Sequence, residues 1–411
     1  MKIATKKLSA TEPFLAFAYE NPLEGLRKYF KIGGEKTLGL LKSSYPVLLA
    51  GSAGSGRSYA LASIASQNII AGVPFVYMSG NCELSIYTMF NSIAAKHKRL
   101  DDLYILNFLG DSNTIDPINP HIGDVEYFKA VFGEAFGPVL SDIFSCEKTN
   151  NKLVNLSQIS NYFSQSTLLQ MLGQDIYKPA AKSISLFLAD SIEGREQGME
   201  QARRFVSIME RSSVFSTNPD VHLQKLFDRK KFLHIVLPNV DKQDPADSRL
   251  LLSMFGYLLA KVEITNIETS AHASIIFDEC LPNIDIDDVI LSGLARKKTV
   301  FSYCNIPSED AAGFKNFRSI TRTSNSVIMM KHELYDGIPD VLRVSALLHG
   351  VTYPHSIRCI KHQEVGQCHV WGSLGIDSGD CRLIGAGYFT FIFAGVEHVE
   401  NISLNTKRIE G

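Results

Sequence analysis

The sequence lacks the features that mark several large classes of protein. Seven of its 411 residues are cysteine, and none of them forms a C-x-x-C pair. An odd number of cysteines without such pairs gives no support to a disulfide framework or a metal knuckle, and favours reduced thiols in a cytosolic protein. Residues 1–7 contain no apolar core and no small-residue cleavage site, so we expect no secretory signal peptide.

Long apolar runs and an excess of one charge are also missing. The longest mostly apolar runs, residues 250–262 and 383–396, are shorter than the roughly 18–20 residues that a membrane-spanning helix needs. The formal net charge of −2 gives no electrostatic argument for nucleic acid or an anionic membrane as a partner, although a basic groove on one face is compatible with it. The composition is ordinary for a soluble globular protein, and the length of 411 residues predicts one large or two medium domains.

A glycine-rich segment after an apolar run is the main indication of function. The run PVLLA at 46–50 leads into GSAGSGRS, which is Gly51, Ser52, Ala53, Gly54, Ser55, Gly56, Arg57 and Ser58. Strand, glycine turn and helix in this order are typical of a phosphate-binding loop, whose N–H groups and helix dipole hold phosphate. Arg57 stands where the pattern has lysine and would have to replace it, whereas Ser58 would bind Mg2+ through its hydroxyl. An ordinary flexible Gly/Ser turn is the alternative.

A later strand supplies the acidic partner that such a loop requires. Residues 273–279 (ASIIFDE) predict a buried strand that ends in Asp278 and Glu279. In a nucleotide hydrolase, Asp278 would order the Mg2+ shell and Glu279 would polarise the attacking water. Asn305, at the end of the next predicted strand, would hold that water or simply cap the strand. The candidates for an arginine that reaches a neighbouring subunit are Arg296, Arg318 and Arg322, and a solvated basic turn is the alternative for Arg296.

The periodicity of the chain predicts two kinds of structure. Strand and helix signals alternate over 46–116 and return at 229–411, which favours a parallel sheet covered by helices. Residues 117–228 carry helical patterns, including 127–136, 157–172 and 199–211, without clear strand runs. We therefore expect an α/β chain with an N-terminal segment at 1–45, a nucleotide-binding domain at 46–116 and 229–411, and an all-helical insertion domain at 117–228.

Several passages, taken in series, resemble the type IV secretion coupling ATPases, the TraD/DotL-like proteins of conjugation and Dot/Icm-type systems. They are the loop at 51–58, RLDDLYILN at 99–107 with Asn119 and Pro120 after it, the acidic strand at 275–279, and TSNSVIMM at 323–330. The segment EVGQCHV at 364–370 also looks like the closing hairpin of that family.

The resemblance implies a RecA-like P-loop NTPase that binds ATP and Mg2+ and assembles into a hexameric ring. It also implies a cytoplasmic position at the bacterial inner membrane, secretion-system components as partners, and a DNA or protein substrate that is moved by ATP hydrolysis. Three features depart from the family: Arg57 replaces the loop lysine, SGNCE at 79–83 stands where an acidic residue and a lysine are usual, and no membrane anchor is visible. Membrane association would therefore come through partners.

Two functions within a secretion system remain open on these grounds, beside a soluble P-loop protein outside secretion. One is an ATP-driven motor subunit with ATPase activity, and the other is a catalytically degenerate adaptor or ring component that binds nucleotide without turnover. Arginine at position 57 keeps the positive charge of lysine, but its planar fork is bulkier than an ammonium group. The sequence therefore predicts the phosphate site more firmly than it predicts hydrolysis.

Overall fold

In the computed structural model, the residues that the structure describes are 46–51, 57–80, 84–152, 154, 156–238, 245–263, 273–278, 288–304, 314–324 and 326–330. Short strand segments at 14–18, 36–39, 334–335, 338–339, 359–361, 368–370, 388–393 and 399–403 are described as well. The remainder of the predicted N-terminal segment, and the rest of the C-terminal part, lie outside these ranges.

Most of the described strands belong to one sheet. In chain order the strands are β1 (Phe14–Ala18), β2 (Lys36–Gly39), β3 (Val47–Gly51), β4 (Phe75–Ser79), β5 (Leu103–Asn107), β6 (Phe232–Val236), β7 (Ser274–Asp278), β8 (Thr299–Cys304), β9 (Ser326–Met330), β10 (Leu334–Tyr335), β11 (Ile338–Pro339), β12 (Cys359–Lys361), β13 (Cys368–Val370), β14 (Tyr388–Phe393) and β15 (Val399–Ser403). Nine of them form a sheet in the order β15-β14-β9-β3-β8-β7-β4-β6-β5. The segment resembling a closing hairpin contributes β13, which pairs antiparallel with β12.

The centre of the sheet is parallel, as the sequence predicted. Each neighbouring pair in the series β9, β3, β8, β7 and β4 is parallel, whereas β14 pairs antiparallel with both β9 and β15. The register sets Gly51 beside Cys304 and Ser79 beside Asp278. The carboxyl ends of β3, β8, β7 and β4 therefore meet at one edge, which is where open α/β sheets bind their ligands.

Continuous apolar runs explain why these strands lie in the interior. β3, β4, β6 and β7 are buried along their whole length, as expected of strands covered by helices on both faces. The helices are α1 (Arg57–Ala71), α2 (Leu84–Lys96), α3 (Val125–Phe132), α4 (Gly137–Thr149), α5 (Gln165–Leu172), α6 (Ala181–Ala189), α7 (Ile192–Arg211), α8 (Leu223–Asp228), α9 (Pro245–Lys261), α10 (Asp288–Ala295) and α11 (Phe314–Thr323).

The helical character predicted for 117–228 is present in the structure. Every named element in the described part of this range is an α-helix or a 3-10 helix. The pattern at 157–172 is not one α-helix, because its first half forms a 3-10 helix (Leu156–Phe163) and α5 begins at Gln165. The pattern at 127–136 is shorter than expected, because α3 ends at Phe132 and Gly133 follows with a positive φ.

The chain divides into two compact units. The first comprises 1–103, 227–233 and 264–411, and the second comprises 104–226 and 234–263. In the first unit, α1 and α2 pack their apolar residues against β3 and β4, and the ring of Phe90 meets those of Phe75 and Tyr77 edge to face. The domain boundaries given by the sequence remain a prediction.

Two buried carboxylates each join separate elements of the second unit. Glu147 accepts hydrogen bonds from the hydroxyls of Tyr162 and Tyr177, at 2.8 and 3.1 Å. Burial, together with Glu147, raises the pKa of Tyr177 to about 12, so this hydroxyl stays protonated and can donate. Asp247 at the start of α9 forms ion pairs with Arg204 and Arg211 of α7, at 3.5 and 2.7 Å.

None of the helices within the described ranges is long and apolar enough to span a membrane. The apolar run at 250–262 instead falls within α9 and its carboxyl end, where most of the large side chains are buried.

The close approach of α3 and α4 generates a stability prediction. A Cβ atom at Gly137 would lie 2.4 Å from the carbonyl oxygen of Phe128, which is backbone and cannot move aside cheaply. We expect G137A to lower the free energy of unfolding by about 1–3 kcal/mol, as overpacking does. The control is G173A, because a Cβ atom there meets its nearest atom at an ordinary 3.5 Å. Equal stability of the two variants in denaturant titrations would contradict the packing described here for Gly137.

A buried histidine generates a pH-dependence prediction. His234 on β6 is 2% exposed, and burial lowers its pKa from 6.5 to about 3. Between these values the unfolded chain binds a proton that the folded chain does not, so stability is retained above pH 6.5 and falls as the pH drops below it. The loss approaches about 1.4 kcal/mol per pH unit. Denaturant titrations from pH 7 to 4 should show a shallower decline for H234Q than for the unchanged chain, and identical slopes would contradict the prediction.

Candidate functional site

The residues that flank the predicted phosphate loop lie at the edge where the parallel strands end. β3 closes at Gly51 and α1 begins at Arg57, so the flanking strand and helix are those the sequence predicted. The residues between them, Ser52, Ala53, Gly54, Ser55 and Gly56, lie outside the described part of the chain. Their role as nucleotide ligands, together with that of Gly51, remains a prediction.

The structure brings the two predicted Mg2+ ligands together. Ser58 in the first turn of α1 donates a hydrogen bond from Oγ to Oδ1 of Asp278 at 3.1 Å, across 220 residues of sequence. Asp278 ends β7 and is 3% exposed. A hydroxyl and a carboxylate are the hard oxygen ligands that Mg2+ prefers, so this donor set fits the ion.

A tyrosine that was not predicted from the sequence also bonds to Asp278. Tyr77 on β4 is fully buried, and its hydroxyl donates to Oδ2 of Asp278 at 2.6 Å. The backbone of β4 holds the same residue, because the N–H of Gly80 donates to the Asp278 carbonyl at 2.9 Å. An inward-facing tyrosine near the end of a buried strand was the available signal. The sequence does not show, however, that β4 lies beside β7.

Arg57 is directed at the sheet. The side chain is 3% exposed, and Nη1 donates hydrogen bonds to the carbonyl oxygens of Gly51 and, at 2.9 Å, of Tyr303. These carbonyls lie at the carboxyl ends of β3 and β8. In the structure the guanidinium group therefore links the start of α1 to two neighbouring strands.

The other predicted site residues are only partly described. Glu279 and Asn305 directly follow the last described residues of β7 and β8 and lie outside the described ranges, so their roles remain predictions. Arg296, after α10, and Arg318, on α11, are both exposed, and the side chain of Arg322 is not among those described. No group of three or more histidine, cysteine or acidic side chains within the described ranges is arranged to hold a metal ion.

Comparison with solved structures identifies the fold. The plasmid coupling protein TrwB in complex with a non-hydrolysable ATP analogue matches with a TM-score of 0.61 and 15% identity, covering 97% of this chain and 96% of that one. TrwB in complex with ADP and Mg2+ matches with the same score, identity and coverage. The unbound conjugative coupling protein TrwBdeltaN70 matches with a TM-score of 0.60 and 14% identity, over 88% of this chain and 85% of that one.

This chain has the fold of TrwB. The RecA-like P-loop fold class predicted from the sequence is thereby confirmed, and the resemblance to coupling ATPases holds at the level of the fold. No protein-family model and no curated protein sequence matches the chain.

The contacts of Arg57 generate a prediction about stability. R57M removes the donor shared by two strand-end carbonyls and should lower the free energy of unfolding by about 1–3 kcal/mol. The matched control is R296M, since Arg296 is exposed and a surface change of this kind should stay within about 0.5 kcal/mol. Denaturant titrations of both variants without nucleotide measure the difference. Two indistinguishable variants would show that Arg57 does not hold the sheet edge in solution.

Proposed function

We propose that this chain is an ATP-binding motor subunit of a conjugation or type IV secretion system. ATP hydrolysis would drive the recruitment or translocation of a DNA or protein substrate. The observation that carries the proposal is the Ser58–Asp278 hydrogen bond, which joins the start of α1 to the end of β7 within a TrwB fold. The TrwB structures that hold an ATP analogue, or ADP with Mg2+, support ATP and Mg2+ as the ligands.

Each site residue takes a role that its chemistry allows. The N–H groups of the loop at 51–58 would hold phosphate at the amino end of α1, where the helix dipole favours negative charge. Ser58 and Asp278 would hold Mg2+, which when bound neutralises charge on the phosphates. Glu279 would accept a proton from the attacking water, and Asn305 would orient that water.

The proposal extends to the assembly. A homo-hexameric ring would let an arginine of one subunit reach the nucleotide of its neighbour, and Arg296, Arg318 and Arg322 remain the candidates. The exposure of Arg296 and Arg318 supports their availability for this role. Secretion-system components would be the partners, and contact with the inner membrane from the cytoplasmic side would come through them.

The contacts of Arg57 favour a second candidate, a nucleotide-binding adaptor or ring component with little or no turnover. The lysine of a phosphate-binding loop reaches the β- and γ-phosphates of the nucleotide. In this chain Nη1 of Arg57 is engaged with the carbonyls of Gly51 and Tyr303, and phosphate would have to compete with these bonds. The loop would then bind nucleotide through its backbone while lacking a cation to stabilise the transition state.

Steady-state ATPase assays, with and without DNA, separate the two candidates. If the chain is a motor, the unchanged protein turns over ATP and E279Q lowers kcat by about 100-fold or more, because general-base catalysis contributes at least that factor. Nucleotide binding by E279Q, measured with a fluorescent ATP analogue, should persist and serves as the control. A chain that binds the analogue but shows no turnover supports the adaptor, and a chain that does not bind it contradicts both candidates.

A further inference from the structure

The carboxylate of Asp278 is held differently at its two oxygens. Oδ1 accepts from Ser58 of α1 at 3.1 Å, whereas Oδ2 accepts from the Tyr77 hydroxyl at 2.6 Å. The shorter distance is that of an O–H group bonded to a carboxylate, a charge-assisted bond about twice as strong as a neutral one. Tyr77 therefore restrains one oxygen of Asp278 more tightly than Ser58 restrains the other.

The tyrosine is itself fixed. Its ring is fully buried and packs edge to face on Phe90 of α2, with the centroids 5.3 Å apart. The backbone of Asp278 is fixed as well, through its pairing with Ser79 and the bond from the Gly80 N–H. The Asp278 side chain can rotate about its terminal torsion, which is intrinsically broad. The Tyr77 hydroxyl is placed to restrict that rotation.

We propose that Tyr77 is a positioning residue for the Mg–nucleotide site: by holding Oδ2 of Asp278, it keeps Oδ1 turned towards Ser58. The inference rests on the proposed nucleotide-binding function and adds to it a residue on β4. It makes the orientation of the metal-binding carboxylate depend on a strand that carries none of the predicted site residues. Tyr77 itself touches neither metal nor nucleotide in this role.

The test is the Mg2+ dependence of nucleotide binding. A fluorescent ADP analogue is titrated into the full chain, once at saturating Mg2+ and once in EDTA, for the unchanged protein, Y77F, D278N and Y77F/D278N. Losing a hydrogen bond to a charged group should weaken Mg2+-dependent binding by Y77F about tenfold. Binding in EDTA should not change, and Y77F should have no further effect in the D278N background, because the tyrosine acts through that carboxylate.

The matched control is Y127F. Tyr127 is also fully buried, and its hydroxyl donates at 2.6 Å to the Pro117 carbonyl in the second unit. The Y127F variant should lose about as much thermal stability as Y77F, whereas its nucleotide binding should keep the Mg2+ dependence of the unchanged protein. Three results overturn the inference: equal Mg2+ dependence in Y77F and the unchanged chain, an equal loss with Mg2+ and in EDTA, or the same loss in the D278N background. If the unchanged chain binds no analogue at all, the proposed function fails together with it.

Discussion

The candidate site depends on one buried carboxylate. Asp278 is almost inaccessible to solvent at the end of β7, where an ionised group without partners would be very costly. Two hydroxyl groups from different parts of the chain, those of Ser58 and Tyr77, are among its partners. These two bonds require that α1 begins near the end of β7 and that β4 lies next to β7. The strand order β3-β8-β7-β4 in the sheet meets both requirements.

The same arrangement ties the first turn of α1 to four adjacent strands. Arg57 bonds to the ends of β3 and β8, Ser58 bonds to Asp278 on β7, and Asp278 in turn bonds to Tyr77 on β4. Buried bonds of this kind restrict motion, because breaking any one of them leaves a polar group without its partner. The helix that follows the predicted phosphate loop is thus bonded to the sheet at its start.

The local sequence predicts many of these strands and helices, and there are physical reasons why it does not predict the other features. VLLAG, and SIIFD with its central apolar run IIF, are fully buried strands, so both strands could be predicted directly from the sequence. Periodicity could not separate a 3-10 helix from an α-helix at 156–163, because a spacing of three residues between apolar side chains fits both over so short a segment. Tyr77 was missed because its role depends on which strand lies beside β4, and strand order is a long-range property of the sheet.

Arg57 shows how a substitution that conserves charge can still change a site. A lysine carries a compact ammonium on a flexible stem, whereas arginine presents a planar fork that favours several fixed acceptors at once. The ends of β3 and β8 offer two such acceptors, the carbonyl oxygens of Gly51 and Tyr303, and Nη1 of the fork donates to both of them. Arg57, which the motif assigns to phosphate binding, therefore also bonds to the carboxyl ends of two strands. If the loop binds phosphate as proposed, the phosphate would compete with these two carbonyl oxygens for the Arg57 side chain, and the outcome of that competition would decide between the motor and the adaptor.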